Sequence, residues 1–153
     1  MEDRFLIEER LRLESQFKSG ANWFFFIAGL SVINSLVLLL GGTFNFIVGL
    51  GITQVISALA RELGPIWKTI AFVLSVIAAG FFVLFGALAK KRHKWAFIVG
   101  MILYAFDGLL FLLVQDWLSI AFHLFALYGI YKGLGALTSL NSLEAEKSAS
   151  PVT

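Results

Sequence analysis

Two ionisable residues, Asp107 and His123, stand inside apolar runs of this 153-residue chain, on either side of a short break at Gln115 and Asp116. A carboxylate and an imidazole held close together in apolar surroundings can share a proton. Burial favours the neutral acid, while a neighbouring imidazolium favours the carboxylate. Chains of Asp, Glu and His within spans are the usual substance of proton relays and coupled transport. Asp107 carries the argument, because a carboxylate at such depth costs roughly 2.5 to 3.5 kcal/mol and Asn or Ser would supply hydrogen bonds more cheaply. The competing expectation is a buried Asp107–His123 pair that only fixes helix register.

Further polar residues fall at the same level. At the helical rise, Asp107 lies roughly 12 Å from Gln115, and His123 roughly 10 Å from Asp116 on the next, antiparallel helix. Asn34 lies about 9 Å from the end of its own apolar run. Tyr104 shares a helical face with Asp107, while Ser119 and Asp116 continue a polar stripe up from His123. Gln54, in the second apolar stretch, is placed to cap the cavity these residues would line. Asn34, Asp107, His123, Tyr104, Gln54, Ser119 and Asp116 are therefore the candidate proton- or solute-binding set. Taken singly, Asn34 and Ser119 read as interhelical glue worth about 0.6 kcal/mol per bond, and Tyr104 as a core ring.

Most enzymatic chemistry lacks its parts. His93 and His123 are the two histidines, and they fall near opposite ends of the spans, so a three-ligand catalytic metal site is not expected. Ser119 sits one turn from His123 without a G-x-S-x-G elbow. The "GLG" at residues 49–51 follows no strand and is not a phosphate cradle. With 0 Cys there is no thiol chemistry or Cys-based metal site. No cofactor is implied, and the net charge of +2 comes from loop residues rather than a basic face, which argues against a nucleic-acid partner.

The elements that must position these residues are apolar helices. Hydrophobic residues make up 59% of the chain and charged ones 14%, against about a quarter charged in ordinary soluble domains. Apolar runs at about 21–40, 66–89, 95–114 and 117–137 have the length to cross a bilayer core of roughly 30 Å. The sequence thus predicts an all-α integral membrane protein, a four-helix transmembrane bundle over 21–138. Residues 1–20 read as an N-terminal amphipathic helix, too charged for a cleavable signal peptide, and 139–153 as a disordered cytoplasmic tail. Residues 43–60 carry Asn45, Thr53, Gln54 and Ser57 and read as an outer-side interfacial or re-entrant helix.

Charge sets the orientation. Lys90, Lys91, Arg92 and Lys94 form a basic loop that is retained on the cytoplasmic side. If residues 43–60 do not cross, Arg4, Arg10, Arg12 and Lys18 also lie inside, which satisfies the rule best and puts both termini in the cytoplasm of a plasma or inner membrane. Trp23, Trp67, Trp95 and Trp117 each open a span, at the interfacial level indole favours. Ala71, Ser75 and Ala79, and the pair Gly129 and Gly133, mark faces for close helix approach, within the bundle or between protomers of a homo-oligomer.

The functional expectation is a small multi-pass membrane protein that handles a proton, ion or small solute. The alternatives are a non-catalytic assembly or regulatory subunit with a membrane protein partner, and an intramembrane enzyme acting on a lipid.

Overall fold

The computed structural model describes residues 2–42 and 49–149 as five helices. They are α1 (Glu2–Leu39), α2 (Gly51–Leu63), α3 (Pro65–Lys90), α4 (Lys94–Leu113) and α5 (Trp117–Ala149). Four of them, α1, α3, α4 and α5, are long and apolar enough to cross a membrane. α3 and α4 lie within a residue of the expected 66–89 and 95–114 at both ends, while α1 starts well before 21 and α5 ends well after 137. Of the expected segment 43–60, residues 43–48 lie outside the described residues, and the helix itself runs further, to Leu63.

Three of the helices end in the same way. At α1, Gly42 N–H donates to Val37 C=O (2.8 Å) and Gly41 N–H to Leu38 C=O (2.9 Å), with Gly41 at φ 84°. At α3 the same pair of bonds runs from His93 to Leu88 (3.1 Å) and Arg92 to Ala89 (2.9 Å). At α4 it runs from Asp116 to Phe111 (3.1 Å) and Gln115 to Leu112 (3.3 Å). This motif satisfies the orphan carbonyls of a helix end and requires one residue in the left-handed region. Arg92 (φ 67°) and Gln115 (φ 54°) take that conformation although they carry side chains. The α2–α3 junction instead uses Gly64 at φ 104°, followed by Pro65 in the first turn of α3, where its missing N–H costs nothing.

The helices pack by small residues and aromatic rings. Gly133 meets Gly20 so closely that a Cβ on Gly133 would lie 2.6 Å from the Gly20 Cα. Gly129 backs onto the Trp23 indole. The Gly129/Gly133 pair is therefore used inside the bundle, between α5 and α1. Ala71, Ser75 and Ala79 are all buried on α3. Phe24 sits at the centre of the core, with the rings of Phe82, Phe85 and Phe97 at 6.1–6.3 Å. Trp67, Trp95 and Trp117 are exposed, whereas Trp23 packs inward and meets Phe125 edge-on at 5.3 Å.

Two sequence expectations change at the end of the bundle that holds Glu144. The N-terminal segment is not a separate helix; it is the first half of α1, with Leu13 and Phe17 buried in the core. The segment read as a disordered tail is helical as far as Ala149. The physical reason is mutual: Leu137 and Leu140 are buried in the same core cluster as Leu13 and Phe17. Glu144 then receives Arg10 at 3.1 Å and Arg92 at 2.9 Å, joining α1, the α3–α4 turn and α5. Composition alone cannot show such a contact, because Glu144 belongs to a polar stretch whose partners are more than fifty residues away.

The close glycine crossing makes a direct prediction. Gly133→Ala should lower stability by about 1 to 3 kcal/mol, the range for overpacking a tight contact. Gly135→Ala, where an added Cβ meets nothing within 4 Å, should leave the melting temperature unchanged or raise it. Thermal unfolding of both variants in one detergent checks this.

Candidate functional site

The site is built around the first turn of α2. A helix start leaves its backbone N–H groups without intrahelical partners, and Leu50, at the N-cap position of α2, supplies no side-chain cap. Other helices supply what is missing. Ser31 of α1 accepts the Leu50 N–H at 2.7 Å through Oγ, and donates its own proton to Ile27 C=O at 2.7 Å. Asp107 of α4 accepts the Gly51 N–H through Oδ2 at 2.6 Å and the Ile52 N–H through Oδ1 at 2.8 Å. Thr53 turns its hydroxyl back to Leu50 C=O at 2.7 Å. A carboxylate against a helix N-terminus also gains from the helix dipole. Asp107 is thus a cap supplied by a different helix, and both its oxygens are engaged.

Glycine makes the approach possible. A Cβ on Gly51 would lie 2.7 Å from Phe111 Cε2 and 2.9 Å from the Asp107 carbonyl. One on Gly49 would lie 3.1 Å from Asn34 Nδ2 and 3.3 Å from Ser31 Oγ. The "GLG" segment is a place where bare backbone fits between α1 and α4. Sequence reasoning dismissed it as a phosphate cradle and missed this use, along with Ser31 and Thr53. The available signal was a pair of glycines opening an amphipathic stretch.

His123 completes the buried network. Its Nε2 lies 3.2 Å from Asp107 Oδ2 and its Nδ1 2.9 Å from the Ser119 carbonyl. A carbonyl oxygen only accepts, so Nδ1 carries a hydrogen. One further proton must then lie between Nε2 and Oδ2. That hydrogen bond, the two amide donors and the N-terminus of α2 all converge on the one carboxyl group. The ring stacks on Tyr104 at 4.3 Å and 17° and touches Phe111 at 5.0 Å. Tyr104 contributes its ring, while its fully buried hydroxyl meets no partner among the described residues. Asp107 is 8% exposed and His123 2%, so this network is closed to solvent.

The other candidates face a different space. A cavity of about 210 Å³ opens beside α2, lined by Asn34, Thr53, Gln54, Ser57, Arg61 and Asp116, with Leu110, Phe111 and Val114 as its apolar wall. Asp107 and His123 do not line it; Gly51 and Phe111 stand between. The set read from sequence therefore divides in two. Asp107, His123, Tyr104 and Ser119 form the buried network, and Asn34, Gln54 and Asp116 line the cavity. The link between them is Ser119, whose hydroxyl donates to Asp116 Oδ2 at 2.6 Å and whose N–H donates to Oδ1 at 3.1 Å. The Ser119 hydroxyl, and then its amide, hold the Asp116 carboxyl below the usual carboxylate range. Arg61 is the cavity residue that the sequence reading did not include; it lies on the same helical face as Gln54 and Ser57.

Comparison of the chain with protein-family models, with curated proteins and with solved structures finds no match.

Two predictions follow from this geometry. Asp107→Asn keeps the size but opposes an amide NH₂ to a backbone N–H or to the imidazole, so it should cost about 3 to 5 kcal/mol, the range for breaking a buried pair. Thermal melts of the purified variant check this; an unchanged melting temperature would mean the cap contributes nothing to folding. The second concerns Asp116, which caps α5. Because its carboxyl is held low in the folded state, its contribution is complete above about pH 4 and is lost as pH falls through the lower folded value. Asp116→Asn, still a good cap, should remove that part of the acid loss. Parent and variant melts between neutral pH and the acid limit should then converge at the acid end.

Proposed function

We propose that the chain is an integral membrane protein of a plasma or inner membrane, with both termini cytoplasmic, that binds a small polar solute from the outer side. The observation that carries this reading is the cavity beside α2. It is large enough for about seven waters, and polar and charged side chains of α1, α2 and the α4–α5 turn line it beside an apolar wall, in a chain with four helices long and apolar enough to cross a membrane. In that orientation the Asp116 end of the bundle is the outer end, and the basic Lys90–Lys94 stretch faces the cytoplasm. α2 is then a re-entrant helix. It starts at the level of Asp107 and returns to the outer surface at Gly64, over roughly 20 Å. Irregular backbone at such depth is tolerated only where protein or a wet cavity satisfies it, and α2 has both.

α2 also joins the two halves of the site. Its polar face, through Gln54, Ser57 and Arg61, lines the cavity, while its first turn rests on Asp107 and the shared proton of His123. A solute that shifts α2 would act on that proton, and a proton added to the pair would weaken the cap. This supports proton-linked solute handling over lipid chemistry, since the carboxylate that would serve an enzyme is already committed to the two backbone amides.

The absence of cysteine makes the reading testable at single positions. Ser57→Cys should react with a membrane-impermeant maleimide added outside right-side-out vesicles, and a pool of small polar metabolites should slow that reaction. Lys91→Cys should react only after the membrane is permeabilised. No reaction at position 57, no protection by any solute fraction, or labelling of position 91 from outside would each overturn the reading.

A further inference from the structure

Arg61 and Asp116 bring opposite charges to one cavity without joining them. Arg61 forms no ion pair or hydrogen bond with any described residue, and its guanidinium carries five donors. Asp116 uses two of its roughly four lone-pair positions on Ser119. Opposite charges on neighbouring side chains at a surface commonly close into a salt bridge. Here none forms. Arg61 stands in the last turn of α2, and Asp116 is set in the α4–α5 turn and tied down by Ser119. Gln54 lines the same space and brings an amide group that can both donate and accept.

Resting on the reading of the cavity as a solute site, we propose that its ligand is a small zwitterion, with an oxyanion for Arg61 and an ammonium for Asp116. A lone anion would pair with Arg61 but bring its charge toward Asp116, and a lone cation would meet Arg61 in the same way. Like charges brought together at a binding site cost several kcal/mol. A molecule carrying both charges satisfies both residues and adds no net charge to a cavity that has none. The Asp116 carboxyl, held low by Ser119, stays ionised wherever the ammonium is also charged. Two sources share this chemistry: free amino acids, and the phosphoethanolamine headgroup of a lipid.

The test is equilibrium binding to the purified full-length protein in detergent. Glycine, β-alanine and 4-aminobutyrate span the gap between charges; acetate and methylamine carry one charge each; glycerophosphoethanolamine represents the lipid headgroup. At least one zwitterion should bind about tenfold or more tighter than both single-charge probes, a difference of about 1.4 kcal/mol. Arg61→Gln and Asp116→Asn should each lose that preference. In addition, Asp116→Asn should bind acetate more tightly than the parent does, and Arg61→Gln should bind methylamine more tightly, gains that a damaged fold would not produce. Preference for glycerophosphoethanolamine over all three amino acids would support the zwitterion class and assign the lipid as its source. Acetate or methylamine binding as tightly as the zwitterions would overturn the proposal while leaving the cavity as a solute site. Binding of none of the probes would overturn it too, and the Ser57→Cys labelling would then decide separately whether the cavity admits solutes.

Discussion

The structure depends on two backbone N–H groups that begin a helix away from water. Gly51 and Ile52 point their amides into the interior, where an unpaired donor costs a few kcal/mol. Nothing in their own segment can accept them. Asp107 reaches across from α4 and takes both, one on each oxygen. A neutral amide has one oxygen and would leave a donor facing a donor, so the carboxylate is suited to this place by geometry as well as charge. Its depth, which from sequence argued for chemistry, is explained first by this capping.

The rest of the site follows from holding that charge. His123 meets the same carboxyl group through Nε2, oriented by the Ser119 carbonyl and stacked against Tyr104. With its start pinned beside Asp107, α2 must run back to the end it came from, and its polar face is left lining the space next to α4. The cavity is thus a consequence of the cap. Gly51 and Phe111, which form the partition, also set how a change on one side would be felt on the other.

The far end of the bundle is held differently. Gly20, Gly129 and Gly133 let α1 and α5 cross at backbone distance, and beyond that crossing both helices continue together. Glu144 closes the extension by accepting two arginines from separate parts of the chain. These pairs are half-exposed and individually worth little. The apolar contacts of Leu13, Phe17, Leu137 and Leu140 carry the extension, and the ions select its register.

The sequence by itself determined the four long apolar helices, the breaks between them, and the one segment too polar to belong with them, because span length and turn chemistry are local properties of a chain. It also placed Asp107, His123 and Asn34 at one level, since helical rise converts spacing into depth. Only the tertiary structure decided what those residues touch. Rotation about a helix axis and the path of α2 are set by packing between segments tens of residues apart, and spacing carries no record of either. For that reason Asp107 could be read as buried and adjacent to His123, yet its two amide partners at Gly51 and Ile52 could not. Tyr104 could be put on the right face, but not known to offer its ring rather than its hydroxyl. Arg61 and Asp116 stand 55 positions apart in the chain, and share a cavity only because the capped start of α2 turns that helix back beside them.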